Sequence, residues 1–162
     1  MTLNKTPLYQ LYIQENCRTS PFAGWEMPIQ FDGLLKEHQA VRNNAGLFDI
    51  SHMGIYQIDG TNPKDALQKL VPSDLYRIGK GEACYTLLLN EVGGIIDDVI
   101  IYDLGKIKKN TERLLIVINA ACNTSDLNWL RKNLEPQNIQ ISDAKKKWGF
   151  PCTARTQCRT NT

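Results

Sequence analysis

Two apolar alternating runs, Cys84 to Leu89 and Ile95 to Leu104, flank the five residues Asn90-Glu-Val-Gly-Gly94, and no other feature constrains this chain as strongly. Period-two alternation sends every second side chain to one face, and adjacent glycines supply the positive φ that a tight turn needs. The runs are therefore expected to form an antiparallel hairpin, which must belong to a larger sheet. Gly54 to Gly60 alternates in the same way, Arg113 to Asn119 reads as a strand, and Ile139 to Ile141 as a closing one. Pro63 to Val71 begins on proline and puts Ala66, Leu67 and Leu70 on one helical face. Thr124 to Leu134 reads as a second helix, with Thr124 or Ser125 as cap and Asp126 in its first turn. The order from 54 to 142 is β-α-β-β-β-α-β, which is an α+β fold: an antiparallel-rich sheet with helices on one face.

The stretch before it has a different character. Thr6 to Asn16 opens with Thr-Pro and places Leu8, Leu11 and Tyr12 at helical spacing. Phe22 to Asp32, rich in Gly, Pro and aromatics, reads as an ordered loop, and Leu34 to Asn44 as a helix with Gly46 near its C-terminal cap. Beyond Ala144 neither period survives. The expected division is residues 1–53 as a helical and loop segment of the core, 54–143 as the α+β domain, and 144–162 as an aberrant basic tail.

Composition removes several function classes. With 162 residues, 42% of them hydrophobic, the chain can bury a core, yet it has no apolar run near the roughly 20 residues that cross a bilayer. A basic segment followed by an apolar one is absent at the N-terminus, so the expected address is cytoplasmic. The net charge of +2 is unevenly spread, because residues 144–162 hold five basic residues and no acid, leaving 14 basic against 17 acidic residues before them. A slightly acidic body gives no reason to expect nucleic acid. Five cysteines without a CxxC pair, and histidines only at 38 and 52, fit reduced thiols and no metal site.

Three runs carry groups capable of chemistry. In Gly93-Gly-Ile-Ile-Asp-Asp-Val-Ile100 the neighbouring carboxylates must point to opposite faces, one in and one out, so they form no dyad with each other. An inward one at the mouth of a sheet is a hydrogen-bond acceptor for a ligand nitrogen; the plainer reading has both as solvated hairpin residues. Phe22-Ala-Gly-Trp-Glu-Met-Pro-Ile29 combines backbone access with a broad apolar wall, which packing alone explains equally well. The run from Gly46 to Gly54 contains Asp49, Ser51 and His52, but no Gly-x-Ser-x-Gly elbow accompanies them, which argues against a serine hydrolase.

Taken together, six runs resemble one family in order and spacing. They are Thr6-Pro-Leu-Tyr9, Phe22-Ala-Gly-Trp-Glu-Met-Pro28, Glu37-His-x-Ala-Val-Arg42, Ala45-Gly-Leu-Phe-Asp-Ile-Ser-His-Met-Gly54, Tyr85 with Leu89-Asn-Glu-x-Gly-Gly-Ile-Ile-Asp-Asp98, and Val117-x-Asn-Ala-Ala121. The chain resembles, over residues 6 to 143, the N-terminal part of the aminomethyltransferases, the T-proteins of the glycine cleavage system. The resemblance implies transfer of the one-carbon unit of an aminomethyl group, carried on the lipoyl arm of H-protein, to tetrahydrofolate, giving 5,10-methylenetetrahydrofolate and ammonia. It further implies that Asp98 is the catalytic aspartate, that Met53, Tyr85 and Asn119 line the folate pocket, and that no metal takes part. Two other readings remain: a non-catalytic folate-binding fragment, or a related folate-binding module such as an iron-sulfur repair scaffold or a domain of the dimethylglycine-dehydrogenase type.

The resemblance stops at Asp143, where the family continues with a strand ending in a Leu-Gln-Gly-Pro-like motif. Pro151-Cys-Thr-Ala-Arg-Thr-Gln-Cys158 can be encoded by CCC TGC ACT GCA AGG ACC CAA TGC, which read one base later gives Pro-Ala-Leu-Gln-Gly-Pro-Asn. The tail is accordingly expected to be a frameshift product arising near Lys145-Lys-Lys147, and the chain as written to be truncated and poorly active.

Overall fold

The computed structural model describes residues 2–145 and the backbone of Thr153–Gln157. These fall into two compact units, one built from residues up to His52 with the strand at Thr153–Gln157, the other running from Met53 onward.

The first unit contains β1 (Asn4–Lys5), α1 (Tyr9–Gln14), β2 (Arg18–Phe22), β3 (Trp25–Gln30), α2 (Leu34–Asn43) and β4 (Ala45–Asp49). The expected loop over 22–32 is instead largely β-structure: β2 and β3 form a hairpin that turns on Ala23 and Gly24, both at positive φ. Proline and glycine disguised it, since Pro21 and Pro28 sit inside the strands. Pro28 is tolerated because β1 pairs only with Trp25 and Glu26, leaving that side of β3 open beyond them. Entry into α2 is fixed by Glu37, whose carboxylate accepts from the N–H groups of Phe31, Asp32 and Gly33 at 2.8, 2.9 and 3.0 Å. Those donors, Phe31 first, hold Glu37 below the usual carboxylate range. Gly46 is not a helix cap; Asn44 takes that position, and Gly46 already lies in β4.

The second unit contains β5 (Gly54–Gly60), α3 (Pro63–Gln68), β6 (Ala83–Leu89), β7 (Ile95–Lys108), β8 (Thr111–Ile118), α4 (Asn123–Leu134) and β9 (Gln140–Asp143). The element order is the one the sequence implied, in a sheet ordered β6-β7-β8-β5-β9 with every neighbouring pair antiparallel. Register assigns the faces. Leu88, Val99, Ile101, Leu114, Ile116, Ile118, Tyr56 and Ile58 share one face and form a single core with Ala66 and Leu67 of α3 and Leu130 and Leu134 of α4. Each such aliphatic side chain removed from water contributes roughly 1.5–3 kcal/mol. The hairpin turn relies on Gly93, at φ 80°, and on Asn90, whose side-chain oxygen accepts from the N–H groups of Val92 and Gly94.

Gly54, at the start of β5, is buried against the β8–α4 junction. A Cβ there would lie 2.6 Å from both Ile118 Cγ1 and Asn123 Oδ1, so any side chain must displace one of them. The expected hydroxyl cap of α4 is absent: the helix starts at Asn123, and Ser125, inside the first turn, donates back to the Cys122 carbonyl at 2.7 Å. The tail, which by pattern was neither helix nor strand, supplies β10 (Thr153–Gln157), antiparallel to β4 from Thr153 opposite Asp49 to Gln157 opposite Ala45. Pairing of main-chain N–H and C=O groups along a strand edge requires no apolar period, which is why periodicity missed it. The rest of the tail, with Cys152, Cys158 and Lys146-Lys147, lies outside the described residues; Cys17, Cys84 and Cys122 are free thiols.

Candidate functional site

The site begins where β7 leaves the hairpin turn. Register sets Asp97 opposite Leu88 and Asp98 opposite Leu87, so the two carboxylates face opposite sides of the sheet, as alternation demanded. Asp98 takes the face away from α3 and α4. The Asn119 side-chain amide, just past the end of β8, donates to Asp98 Oδ1 at 3.3 Å, to the Asp98 carbonyl at 3.2 Å and to Asp97 Oδ1 at 3.0 Å. A single amide thus ties both acids to the neighbouring strand.

Tyr85 stands on the same face as Asp98, opposite Ile100 on β6, and is 66% exposed. The charge of Asp98, above all, raises its phenol, which keeps Tyr85 a hydrogen-bond donor throughout the neutral range. Met53 is half-buried and immediately precedes Gly54, whose partner on β8 is Ile118. Asp98 and Asn119 are therefore in direct contact, Tyr85 lies within the field of Asp98, and Met53 occupies the same end of the sheet one strand further on. A half-buried carboxylate beside a phenol and an amide, with a thioether at the same end of the sheet, is suited to a flat heterocycle whose N–H groups need an acceptor.

Behind this surface lies a second group that sequence reading did not assemble. Asp97, Cys122 and Asp126 bring their side-chain ligand atoms within 4.8 Å of one another. Burial raises Asp97, yet hydrogen bonds from Asp126, Asn119, the Asp98 N–H and Cys122 outweigh it and hold that carboxyl below its ordinary range. Asp126 is fully buried in the first turn of α4; burial, and then Asp97, push it up to about 7. The charge on Asp97 likewise raises the Cys122 thiol. By type the trio resembles a cation site, but its thiol and one carboxyl keep hydrogens that a metal would have to displace. The available signal was the inward position of Asp97; nothing in the pattern revealed that Asp126, singled out only for its place in the helix, would meet it.

The Asp49, Ser51 and His52 run serves another purpose. Asp49 accepts from the Tyr12 hydroxyl and, at 2.8 Å, from the Ser51 N–H, while the His52 ring stands edge-on to Phe22 with centroids 5.7 Å apart. A cavity of about 570 Å³ opens at the far end of β5, beside Asp59, Gly60 and Arg113. There Arg113 grips Asp59 through two bonds of 2.7 and 2.6 Å, so the charges are mutually satisfied. Among the described residues no helix is long and apolar enough to cross a membrane.

Comparison with known proteins agrees with the fold and with the motifs. The family described as GCVT N-terminal domain matches residues 8–150. Aminomethyltransferases of Prochlorococcus marinus strains MIT 9303 and MIT 9313 are each 61% identical over 145 residues, covering 90% of this chain and 39% of theirs. The crystal structure of glycine cleavage system aminomethyltransferase T from Bartonella henselae superposes with a TM-score of 0.70 at 32% identity, over 97% of this chain and 38% of that one. The chain thus spans about two fifths of the length of these relatives. With the six motifs, the β-α-β-β-β-α-β order and a family match over most of its length in agreement, the chain belongs to the GCVT N-terminal domain family.

Proposed function

We propose that this chain carries the catalytic-aspartate portion of a cytoplasmic glycine cleavage aminomethyltransferase. The observation that carries the reading is Asp98, half-buried on the face of the sheet away from α3 and α4 and tied through Asn119 to the next strand. In the reaction, N5 of tetrahydrofolate bonds to the methylene carbon held between the lipoyl sulfur and nitrogen of aminomethyl-loaded H-protein. Ammonia leaves, the carbon–sulfur bond breaks to return a thiol, and N10 closes the five-membered ring; the hydrogens of N5 and N10 end on sulfur and ammonia. The Asp98 carboxylate orients the folate nitrogens and stabilises positive charge developing at the carbon. Tyr85, Asn119 and Met53 would border the pterin, two by hydrogen bonding and one by apolar contact. No step calls for a metal.

Because the chain spans 39% of its relatives' length, folate binding without turnover is the companion reading for the chain on its own. The test joins residues 1–143 to the remaining portion of a 61% identical relative and follows methylenetetrahydrofolate formation from loaded H-protein. Asp98→Asn should lower turnover about a hundredfold while the melting temperature and folate affinity hold. A joined protein that turns over equally well with Asn at 98 removes Asp98 from the mechanism. Gene sequence past codon 140 decides the frameshift reading: a one-base shift should open a long frame beginning with the missing Leu-Gln-Gly-Pro-like motif.

A further inference from the structure

Beneath Asp98 two buried carboxylate oxygens stand without a donor. Asp97 Oδ1 accepts from Asn119, and Asp126 Oδ1 lies 3.3 Å from the Ser125 hydroxyl. The other oxygen of each acid, Asp97 Oδ2 and Asp126 Oδ2, is buried and receives no donor from any other residue. These two buried oxygens belong to acids whose ligand atoms lie within 4.8 Å of each other, and a single hydrogen shared between the acids satisfies both while avoiding a pair of like charges. Asp126, fully buried, is the acid that keeps it, and Asp97, reached by the Asn119 amide, is the one that stays charged.

We propose that Asp126 is a positioning residue of the candidate site: as a neutral acid it donates to Asp97, and Asp97 in turn holds the Asn119 amide in the orientation that meets Asp98. What the amide is positioned for rests on the function proposed above; the proton-sharing pair itself does not. The groups facing the pair are Cys122 and Ser125 at the N-terminal end of α4, Asn119 after β8, and Asp98 next in the chain. When Asp126 loses its hydrogen, Asp97 loses one of its donors and faces a second negative charge, and the grip on Asn119 weakens. The proposed site therefore contains a built-in response to rising pH, located on the opposite face of the sheet from Asp98.

The experiment is a carboxyl-carbon and side-chain-amide NMR titration of the 162-residue chain from pH 4 to pH 9. One aspartate carboxyl should titrate close to neutrality, and the Asn119 amide resonances should move with the same midpoint. Asp126→Asn replaces the acid by a permanent donor, so the near-neutral titration should vanish and the Asn119 amide should become independent of pH. A purely structural Asp126 would leave the Asn119 amide flat in the parent chain as well, and that result overturns the proposal. So does every aspartate titrating in the ordinary carboxylate range, or added Zn²⁺ at micromolar concentration shifting the Asn119 and Cys122 signals and abolishing the titration. If Asp126→Asn fails to fold, Asp97→Asn provides the same decision, because Asp126 should then fall back toward the usual range. Tetrahydrofolate is absent from the titration, so a chain that never binds folate still confirms or refutes the pair; with folate present, Asp126→Ala should weaken binding about tenfold and Asp126→Asn should restore it.

Discussion

The two units of this chain treat apolar side chains in opposite ways. The unit from Met53 onward closes a five-stranded sheet over α3 and α4 around fully buried residues such as Ile58, Leu67, Ile116 and Leu130. The unit before it buries Tyr12, Cys17 and Met27 but leaves Phe31, Leu34, Leu35, Leu47 and Phe48 substantially exposed, Leu35 at 80%. A sheet with a helix-covered face satisfies itself, whereas short hairpins and an amphipathic helix do not. Stability is therefore concentrated where the candidate catalytic residues stand.

The largest effect should separate the units directly. Leu130→Ala, deep in the core, should cost roughly 2–5 kcal/mol in urea unfolding, while Leu35→Ala should stay within roughly 0.5 kcal/mol. Equal losses would mean that both units depend on one core. Next, Gly54→Ala must push Ile118 or Asn123 aside at the β8–α4 junction and should cost roughly 1–3 kcal/mol, with a lowered melting temperature as the readout. Loss of the Tyr56–Asn123 hydrogen bond of 2.7 Å would register in the same variant as a shifted tyrosine signal.

A smaller effect concerns pH. Asp126 binds its proton more tightly folded than unfolded, so the folded state holds more protons between the ordinary carboxylate range and about 7. Its contribution to stability is full below about 4 and is lost as pH rises toward 7; other carboxylates such as Glu37, held low by donors, act in the opposite direction at acid pH. Thermal melts across that window should show Asp126→Asn gaining on the parent chain as pH increases. At the bottom of the scale, Lys36→Ala breaks an exposed pair with Asp32 and should leave the melting temperature unchanged. A measurable drop there would show that the first unit relies on surface charge.

Legibility in sequence followed the same division. The strands and helices of the second unit could be read because their apolar residues recur regularly: Ile55, Tyr56 and Ile58 fill β5, which is buried on both faces from Gly54 to Ile58, and Leu67 and Leu70 stand at helical spacing. The β2–β3 hairpin could not, because its stability comes from main-chain pairing and a turn at Ala23-Gly24, and its prolines imitate a loop. Asp98, Asn119, Tyr85 and Met53 were named through motif resemblance, and periodicity could only say that Asp97 and Asp98 diverge. The Asp97–Asp126 pair joins residues 29 positions apart across a strand–helix junction, a meeting set by three-dimensional packing that one-dimensional spacing does not encode.

Strand order also has a consequence during synthesis. β6, β7 and β8 follow one another through short turns and can close as soon as they emerge, whereas β5, made earliest, has neighbours far along the chain, β8 on one side and β9 on the other. Its β9 side, Tyr56 to Asp59, stays open until Gln140–Asp143 leaves the ribosome. Until then the nascent chain presents an unpaired strand edge to its crowded surroundings, where chaperone capture and premature association compete for it.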